Sequence, residues 1–379
     1  MEKEKNIKPV VSVIVFAVLI FGGTVASLFS KKRLFSENEN RMLAQMPKLS
    51  ADTLFDGSFG ADYETYLSDQ FFARDTWITI KTYTELLIGK KDINGVYFGK
   101  DGYLIEKHSS MPEDKAIADR NAERVAEFVK RQLELLGEGH CKFLLVPGSI
   151  DVLQDKLPPF ASDDSKPYFI ETMEELVPEE IYVDLYELLL SHKDESIYYR
   201  TDHHWTTLGA YYAYAAWAES CGITPKALSE FTAEKFDDFY GTVHSRVNIS
   251  VKPDTITLYY SGTPFTVEYD MANTLEGLYV KGHLDTKDKY SVFLDGNHAL
   301  VKITGGEKNG KTLLVVKDSF AHSFVPFAAE HFETVYMIDL RYFSMSVSQF
   351  AEQYGITDVL VLYNRLNLEE DMNTYLFTK

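Results

Sequence analysis

Apolar residues follow three different rhythms along this chain, and each predicts a different kind of element. Near the start, Val10 to Phe29 is almost wholly apolar, and no charged residue occurs between Lys8 and Lys31. About 20 such residues span the hydrocarbon core of a bilayer as a helix. Further on, Ala118, Ala122, Val125, Val129, Leu133 and Leu136 recur at helical spacing, and Gly137 ends the run. Short continuous apolar runs read instead as buried strands: Phe143–Val146, Ile181–Leu185, Leu313–Val316, Val335–Ile338 and Val359–Leu362. Helical stretches separate them, at Ile170–Leu176 and in the alanine-rich segment Leu208–Ser220 among others. Fully apolar strands alternating with helices predict an α/β domain, with a mostly parallel sheet covered on both faces.

Two regions depart from this rhythm. Between Ala51 and Leu87 two aromatic-rich helices are expected, and the turn signals Asn94-Gly95 and Asp101-Gly102 around Val96-Tyr97-Phe98 and Tyr103-Leu104-Ile105 predict a β-hairpin. From about 231 to 310 the helix–strand alternation gives way to β-like segments, Thr255–Tyr260 and Phe265–Tyr269, joined by Ser261-Gly262-Thr263-Pro264. This reads as a β-rich insertion able to serve as a lid or substrate wall. The expected organisation is a tail and transmembrane anchor (1–33), a juxtamembrane linker with helices (34–92), and a catalytic domain (93–379) carrying the insertion.

Charge narrows the function. A formal net charge of −19 argues against binding a phosphate backbone, which calls for a basic stripe. Two cysteines, Cys141 and Cys221, cannot form a disulfide framework. A cleaved signal peptide is the alternative reading of the N-terminal run. The run exceeds a usual signal h-region and Lys31-Lys32-Arg33 follow it at once, which favours an uncleaved anchor. Lys3, Lys5 and Lys8 on the other flank leave the charge rule nearly balanced, so orientation rests on chemistry.

The candidate chemistry lies in two segments more than a hundred residues apart. Asp202-His203-His204-Trp205 packs an acid and two imidazoles into one short turn, and Lys317-Asp318-Ser319-Phe320 places a serine directly after an apolar strand. Together they supply a hydroxyl nucleophile (Ser319), a general base (His204) and a carboxylate to orient it (Asp202). Set at a strand-to-helix turn before a helix Phe320–Phe332, Ser319 would expose its hydroxyl near helical N–H groups suited to an oxyanion. The bland alternative is a helix-capping serine. The Gly-x-Ser-x-Gly elbow of α/β-hydrolases is missing. A zinc site at Asp202-His203-His204 is a rival reading, but it lacks further ligands and adjacent histidines rarely give the geometry, so no metal or cofactor is expected. His203 and Trp205 are candidates for facing the substrate, although Trp205 beside a helix start is equally suited to the core.

These segments, with Glu37-Asn38-Glu39-Asn40-Arg41, Asp69-Gln70-Phe71-Phe72-Ala73-Arg74-Asp75 and Asn94–Leu104 in the same order, make the chain resemble the DHHW family, SGNH-hydrolase-like polysaccharide O-acetyltransferases of alginate-acetylation type. The resemblance runs from about 37 to the C-terminus and implies an SGNH-like fold. SGNH enzymes place the serine first and the histidine last, so the order here implies a circular permutation. Lys317 stands where the SGNH block carries glycine. Following the permuted order, Asn364 falls at the position of the oxyanion-hole asparagine, while Arg341, Asn297 and His298 are weaker candidates for the substrate cleft. The implied function is an extracytoplasmic, membrane-anchored enzyme moving acetyl through a serine acyl-enzyme to a polysaccharide hydroxyl. A membrane-bound O-acyltransferase partner would supply the acetyl group. An acetyl esterase with the same triad and a non-catalytic glycan-binding scaffold are the alternatives.

Overall fold

A computed structural model describes residues 7–36, 38–39, 41–161 and 165–378. Lys3, Lys5, Glu37 and Asn40, which entered the topology and family readings, lie outside the described residues, as does the side chain of Lys8. The chain divides into two compact units, one of residues 1–93 with 245–250 and one of residues 94–244 with 251–379.

In the first unit, α1 (Ile7–Phe29) contains the 20-residue apolar stretch Val10–Phe29, long and apolar enough to cross a membrane. Three helices follow, Ala51–Phe55, Ser58–Asp69 and Arg74–Leu87, where two were expected. Gly57, at φ 81°, separates the first two in a left-handed conformation that glycine adopts at little cost. Ion pairs bind the segment after α1 to the turn between the last two helices. Arg41 donates to Asp69 at 2.9 and 2.5 Å, Arg74 to Glu39 at 2.5 and 3.1 Å, and Arg33 to Asp75 at 2.8 and 3.0 Å. The Gln70 amide closes the join, accepting from the Arg33 N–H and donating to the Arg33 and Ala44 carbonyls.

The second unit is built on an eight-stranded sheet. Numbered along the chain, its strands are β1 (Cys141–Val146), β2 (Tyr182–Val183), β3 (Thr266–Tyr269), β4 (Asn273–Glu276), β5 (Leu300–Thr304), β6 (Thr312–Lys317), β7 (Thr334–Ile338) and β8 (Asp358–Asn364). Their spatial order is β4-β3-β5-β7-β6-β8-β1-β2, parallel from β7 to β2 and antiparallel from β4 to β7. The mostly parallel α/β architecture is therefore the one the alternation of apolar strands and helices predicts.

Both faces are buried because alternate side chains of the central strands enter opposite cores. On one face, Leu144, Leu313, Val315, Leu360 and Leu362 meet α3 (Thr207–Ser220) and α4 (Ala321–Ala328) through Tyr214, Trp217, Phe324 and Phe327. On the other, Phe143, Leu145, Leu314, Val316, Val359 and Val361 meet α2 (Lys115–Leu136) through Ala118, Ala122, Val125 and Val129. These α2 positions are the ones its helical spacing picked out. Asp114 caps its N-terminus, accepting from the Ala116 and Ile117 N–H groups, and Gly137 ends it at φ 90°.

The strands of region 231–310 divide between two sheets. Thr232–Phe239 and Asp254–Tyr260 form their own antiparallel ribbon, whereas β3, β4 and β5 extend the main sheet. Thr255–Tyr260 and the strand after Pro264 do not pair with each other. Their link is longer than a two-residue hairpin turn and carries the chain from one sheet to the other. Val96–Phe98 and Leu104–Glu106 do form the expected hairpin, with Asp101 and Gly102 at φ 57° and 80° in its turn. Both cysteines are free thiols, and burial pushes Cys141 up to about 12.

Candidate active site

The carboxyl end of β6 leads through Asp318 and Ser319 into α4, which runs only to Ala328 before a 3-10 turn at Ala329–His331. The expected helix to Phe332 is thus shorter, and it carries Pro326 inside it. Asp318 shapes the turn. Its carboxylate accepts from the Phe320 N–H at 2.9 Å, the Asn364 N–H at 2.8 Å and the Asn367 side-chain amide at 2.7 Å, tying β6 to the end of β8. Lys317 does not adopt a positive φ, so the backbone there makes no demand for glycine.

Lys317 is instead part of the core. Its ammonium, 1% exposed, donates to Asp339 at 3.1 Å and to His322 Nε2 at 2.8 Å. Burial, then the neighbouring Lys317 charge, pushes His322 well below the ordinary histidine range, so it accepts as a neutral ring.

The loop before α3 delivers the other two groups. Asp254, itself buried, accepts from the Thr201 N–H (2.8 Å), the Thr201 hydroxyl (2.6 Å) and the Arg200 N–H (3.0 Å), which fastens the loop from below. His204 Nδ1 lies 2.6 Å from Asp202 Oδ1, and His204 Nε2 lies 2.8 Å from Ser319 Oγ. A carboxylate only accepts, so Nδ1 carries the hydrogen and Nε2 is left to take the serine proton.

Asp202 Oδ2 also accepts from the Thr242 N–H at 2.8 Å and its hydroxyl at 3.1 Å. Burial raises the Asp202 affinity for a proton. The neighbouring His203 and His204 together with these hydrogen bonds outweigh burial and hold it below the usual carboxylate range. Burial, reinforced by His203 and opposed by Asp202, pushes His204 down to about 4. At neutral pH the arrangement is therefore carboxylate, neutral imidazole and hydroxyl, the protonation pattern of a general base beside a nucleophile.

Several residues with no sequence signal complete the site. The Tyr290 ring stacks on His204, centroids 3.8 Å apart and 10° from parallel, and its hydroxyl donates to the Ser319 carbonyl at 3.3 Å. Gly241 lies so near Asp202 that an added Cβ would fall 2.2 Å from the aspartate Cβ. Thr242 bridges Asp202 and His203, whose Nδ1 is 2.6 Å from the threonine hydroxyl. All three stand far from both motifs in the chain, so spacing could not reveal them.

Among the expected substrate contacts, His203 is half-buried, and its ring lies 3.9 Å from that of His204. The two rings share one side because the loop is not extended. Trp205 is a correction: at 0% exposure it fills the core and donates its indole N–H to the Phe320 carbonyl, so it offers no face to a sugar. Asn364 is a second correction. Its Oδ1 caps the following turn at the Leu366 N–H and its Nδ2 donates to the Val146 carbonyl at 3.1 Å. The side-chain amide that reaches the Asp318-Ser319 turn is that of Asn367.

Arg341 braces Asp339 through two hydrogen bonds, at 2.8 and 2.6 Å, and donates to Asn297 Oδ1 at 3.2 Å. His298 lies between Asp270 and Asp295, at 2.9 and 3.4 Å. The ligand atoms of Asp202, His203 and His204 lie within 4.8 Å of one another. The innermost are already hydrogen-bonded to each other and to Ser319, so a cation there would have to break the chain of hydrogen bonds.

Two concave surfaces flank this region. A groove of about 290 Å³ lies at the carboxyl ends of the strands, lined by Asp318, Arg341, Tyr363 and residues of the 367–373 segment. A larger cleft of about 820 Å³, lined by Arg200, Asp254 and Lys156 among others, contains none of Ser319, His204 and Asp202.

Comparison with known proteins agrees with this architecture. The solved structure of a DHHW family protein from Eubacterium siraeum is 28% identical, covers 76% of this chain and 96% of its own, and has a TM-score of 0.63. PatB1 of Bacillus cereus is 19% identical over 73% of this chain and 97% of its own, with a TM-score of 0.59. The same protein has also been solved with a sulfonyl adduct, at 21% identity, 74% and 96% coverage and a TM-score of 0.59. The O-acetyltransferase domain of Pseudomonas putida AlgJ is a looser likeness, 16% identical over 73% and 93% of the two chains, with a TM-score of 0.42. No curated protein matches. The DHHW family profile matches residues 121–338, more than half of the sequence and including both the Asp-His-His-Trp loop and the serine turn, and the chain belongs to the DHHW family.

Proposed function

We propose that this chain is a serine O-acetyltransferase that acts on polysaccharide hydroxyls outside the cytoplasmic membrane, anchored there by α1. The observation that carries the reading is the 2.8 Å approach of His204 Nε2 to Ser319 Oγ, with Asp202 on the other ring nitrogen. In the proposed reaction Ser319 Oγ attacks the acetyl carbonyl of the donor while its proton passes to His204 Nε2. The bond to the donor's oxygen breaks, that oxygen takes the proton, and acetyl-Ser319 remains. An acceptor sugar hydroxyl then attacks, gives its proton to His204, and leaves as the acetyl ester while the proton returns to Ser319. Asp202 stabilises the transient imidazolium, and the stacked Tyr290 ring fixes the imidazole plane. A membrane-bound O-acyltransferase is the proposed acetyl supplier, as the family resemblance implies. The side of the membrane follows from the substrate, because an envelope polysaccharide is met outside.

The test uses the purified full chain with an activated acetyl ester and envelope-type oligosaccharides. Transfer predicts acetylated oligosaccharide by mass spectrometry and donor turnover that rises with acceptor. Ser319→Ala is expected to lower turnover on the order of 10³-fold, and a sulfonyl fluoride is expected to label Ser319. Unchanged turnover in Ser319→Ala sinks the serine mechanism, and release of free acetate indifferent to acceptor sinks transfer.

A further inference from the structure

The groove at the carboxyl ends of β6, β7 and β8 has a chemistry of its own. In open parallel sheets ligands settle outside these strand ends, where successive connections leave in opposite directions. That condition holds here: the connection after β6 runs through α4 to one face, and the helices after β7 and β8, Val347–Gln353 and Arg365–Glu370, pack on the other through Val347, Phe350 and Leu368. The residue immediately before Ser319 is in its wall.

Two independent observations point to a ligand. Tyr363 lines the groove at 2% exposure, and its buried hydroxyl has no hydrogen-bond partner among the described residues. A buried phenol in that state is a donor and acceptor in want of a partner. The second observation is the charge of the lining. Asp318, Glu370 and Asp371 supply three carboxylates against one cation, Arg341. That guanidinium is already held twice by Asp339 and once by Asn297. The remaining lining, Asn367, Met372 and Asn373, adds amides and one apolar thioether surface.

We propose that this groove is an acceptor subsite for an uncharged or amine-bearing sugar residue, and that it rejects uronates. A volume of about 290 Å³ is at the small end of ligand pockets, suited to one sugar unit of a longer chain rather than to a nucleotide-sized donor. Sugar hydroxyls and ammonium groups donate hydrogen bonds, and carboxylates and amide oxygens accept them. The carboxylate of a uronate would instead face three like charges and would have to take Arg341 from Asp339. The net charge of −19 repels a polyanionic glycan over the longer range as well. The reading rests on the acyl-transfer proposal only in calling the bound sugar an acceptor; binding itself is measured without turnover.

The experiment titrates the full chain, carrying Ser319→Ala to silence turnover, with three oligosaccharide series: N-acetylglucosamine oligomers, their de-N-acetylated forms and mannuronate oligomers. Saturation-transfer NMR in detergent micelles reads the binding. The expected result is binding of the first two series and at least about tenfold weaker binding of the uronates. Glu370→Gln combined with Asp371→Asn is expected to narrow that gap about tenfold. Glu370→Gln alone, at an exposed side chain, is expected to narrow it in the same direction and serves if the double variant does not fold. Uronate binding as tight as that of the neutral series overturns the proposal, as does a gap indifferent to both variants or no binding by any series. Failure of the serine reading appears separately, in the ester assay.

Discussion

At the scale of single residues, the protonation of His204 decides what the site can do. Its folded-state value lies below that of an unfolded histidine, about 6.5, because burial and His203 outweigh Asp202. His204 acts as a base only when neutral, so kcat/KM for an activated acetyl ester is expected to stay on its plateau through pH 6.5 and to fall as pH drops toward about 4. A pH–rate profile with an acid limb centred near pH 7 would contradict this. Linkage gives stability the same sign: below pH 6.5 the unfolded histidine takes up a proton that the buried one refuses, so this group destabilises the fold as pH falls. Trp205 gives a second residue-level expectation. As a fully buried ring, Trp205→Ala should cost about 3–5 kcal/mol in urea unfolding, whereas a role in sugar stacking would change acceptor KM with little loss of stability. Asp202, His204 and Ser319 were legible as a set because their chemistry is in their side chains. The roles of Asn364 and Asn367 were not, since which of two amides three residues apart reaches a turn depends on the helix between them.

At the scale of elements, what holds Ser319 and His204 together is a set of crossings between segments distant in the chain. Asp318 ties β6 to the β8 end, Asp254 ties the ribbon to the loop before α3, and Gly241-Thr242 closes over Asp202. Gly241→Ala places a Cβ against Asp202, so it is expected to cost about 1–3 kcal/mol by overpacking and to reduce ester turnover more than Ala at the exposed Gly282. Comparing both variants by urea unfolding and kcat checks this. In the first unit, the two short segments that supported the family resemblance turn out to be partners, Glu39 and Arg41 pairing with Arg74 and Asp69. The hydrogen bonds from Arg41 hold Asp69 below the usual carboxylate range despite burial. Asp69→Asn is expected to cost about 2 kcal/mol, the value of charge-assisted hydrogen bonds to a partly exposed partner, read as earlier unfolding of this unit by hydrogen exchange.

At the scale of the whole molecule, the apolar run of α1 is the feature on which the proposed location of the chemistry rests. Its 20 residues, none buried against the rest of the chain, are long and apolar enough to cross a bilayer at about 1.5 Å per residue. External protease on intact cells is expected to digest the region after α1, and protection until lysis would place the domain on the other side.

The sequence by itself determined the elements whose signals are local. A long apolar run marked α1, helical periodicity marked α2 and an alanine-rich stretch marked α3, while short apolar runs marked the parallel strands β1, β6, β7 and β8 and turn dipeptides marked the hairpin at 96–106. Side-chain type was enough to nominate Ser319, His204 and Asp202. Only the tertiary structure decided how the β-rich stretch divides, because strand pairing is a choice of partner and register that alternation leaves open. It also decided that Trp205 is core, that Tyr290 and Thr242 complete the site, and that the groove beside Ser319 is walled by carboxylates. Burial, stacking and the summed field of charges depend on which distant segments meet, and no spacing along the chain carries that information.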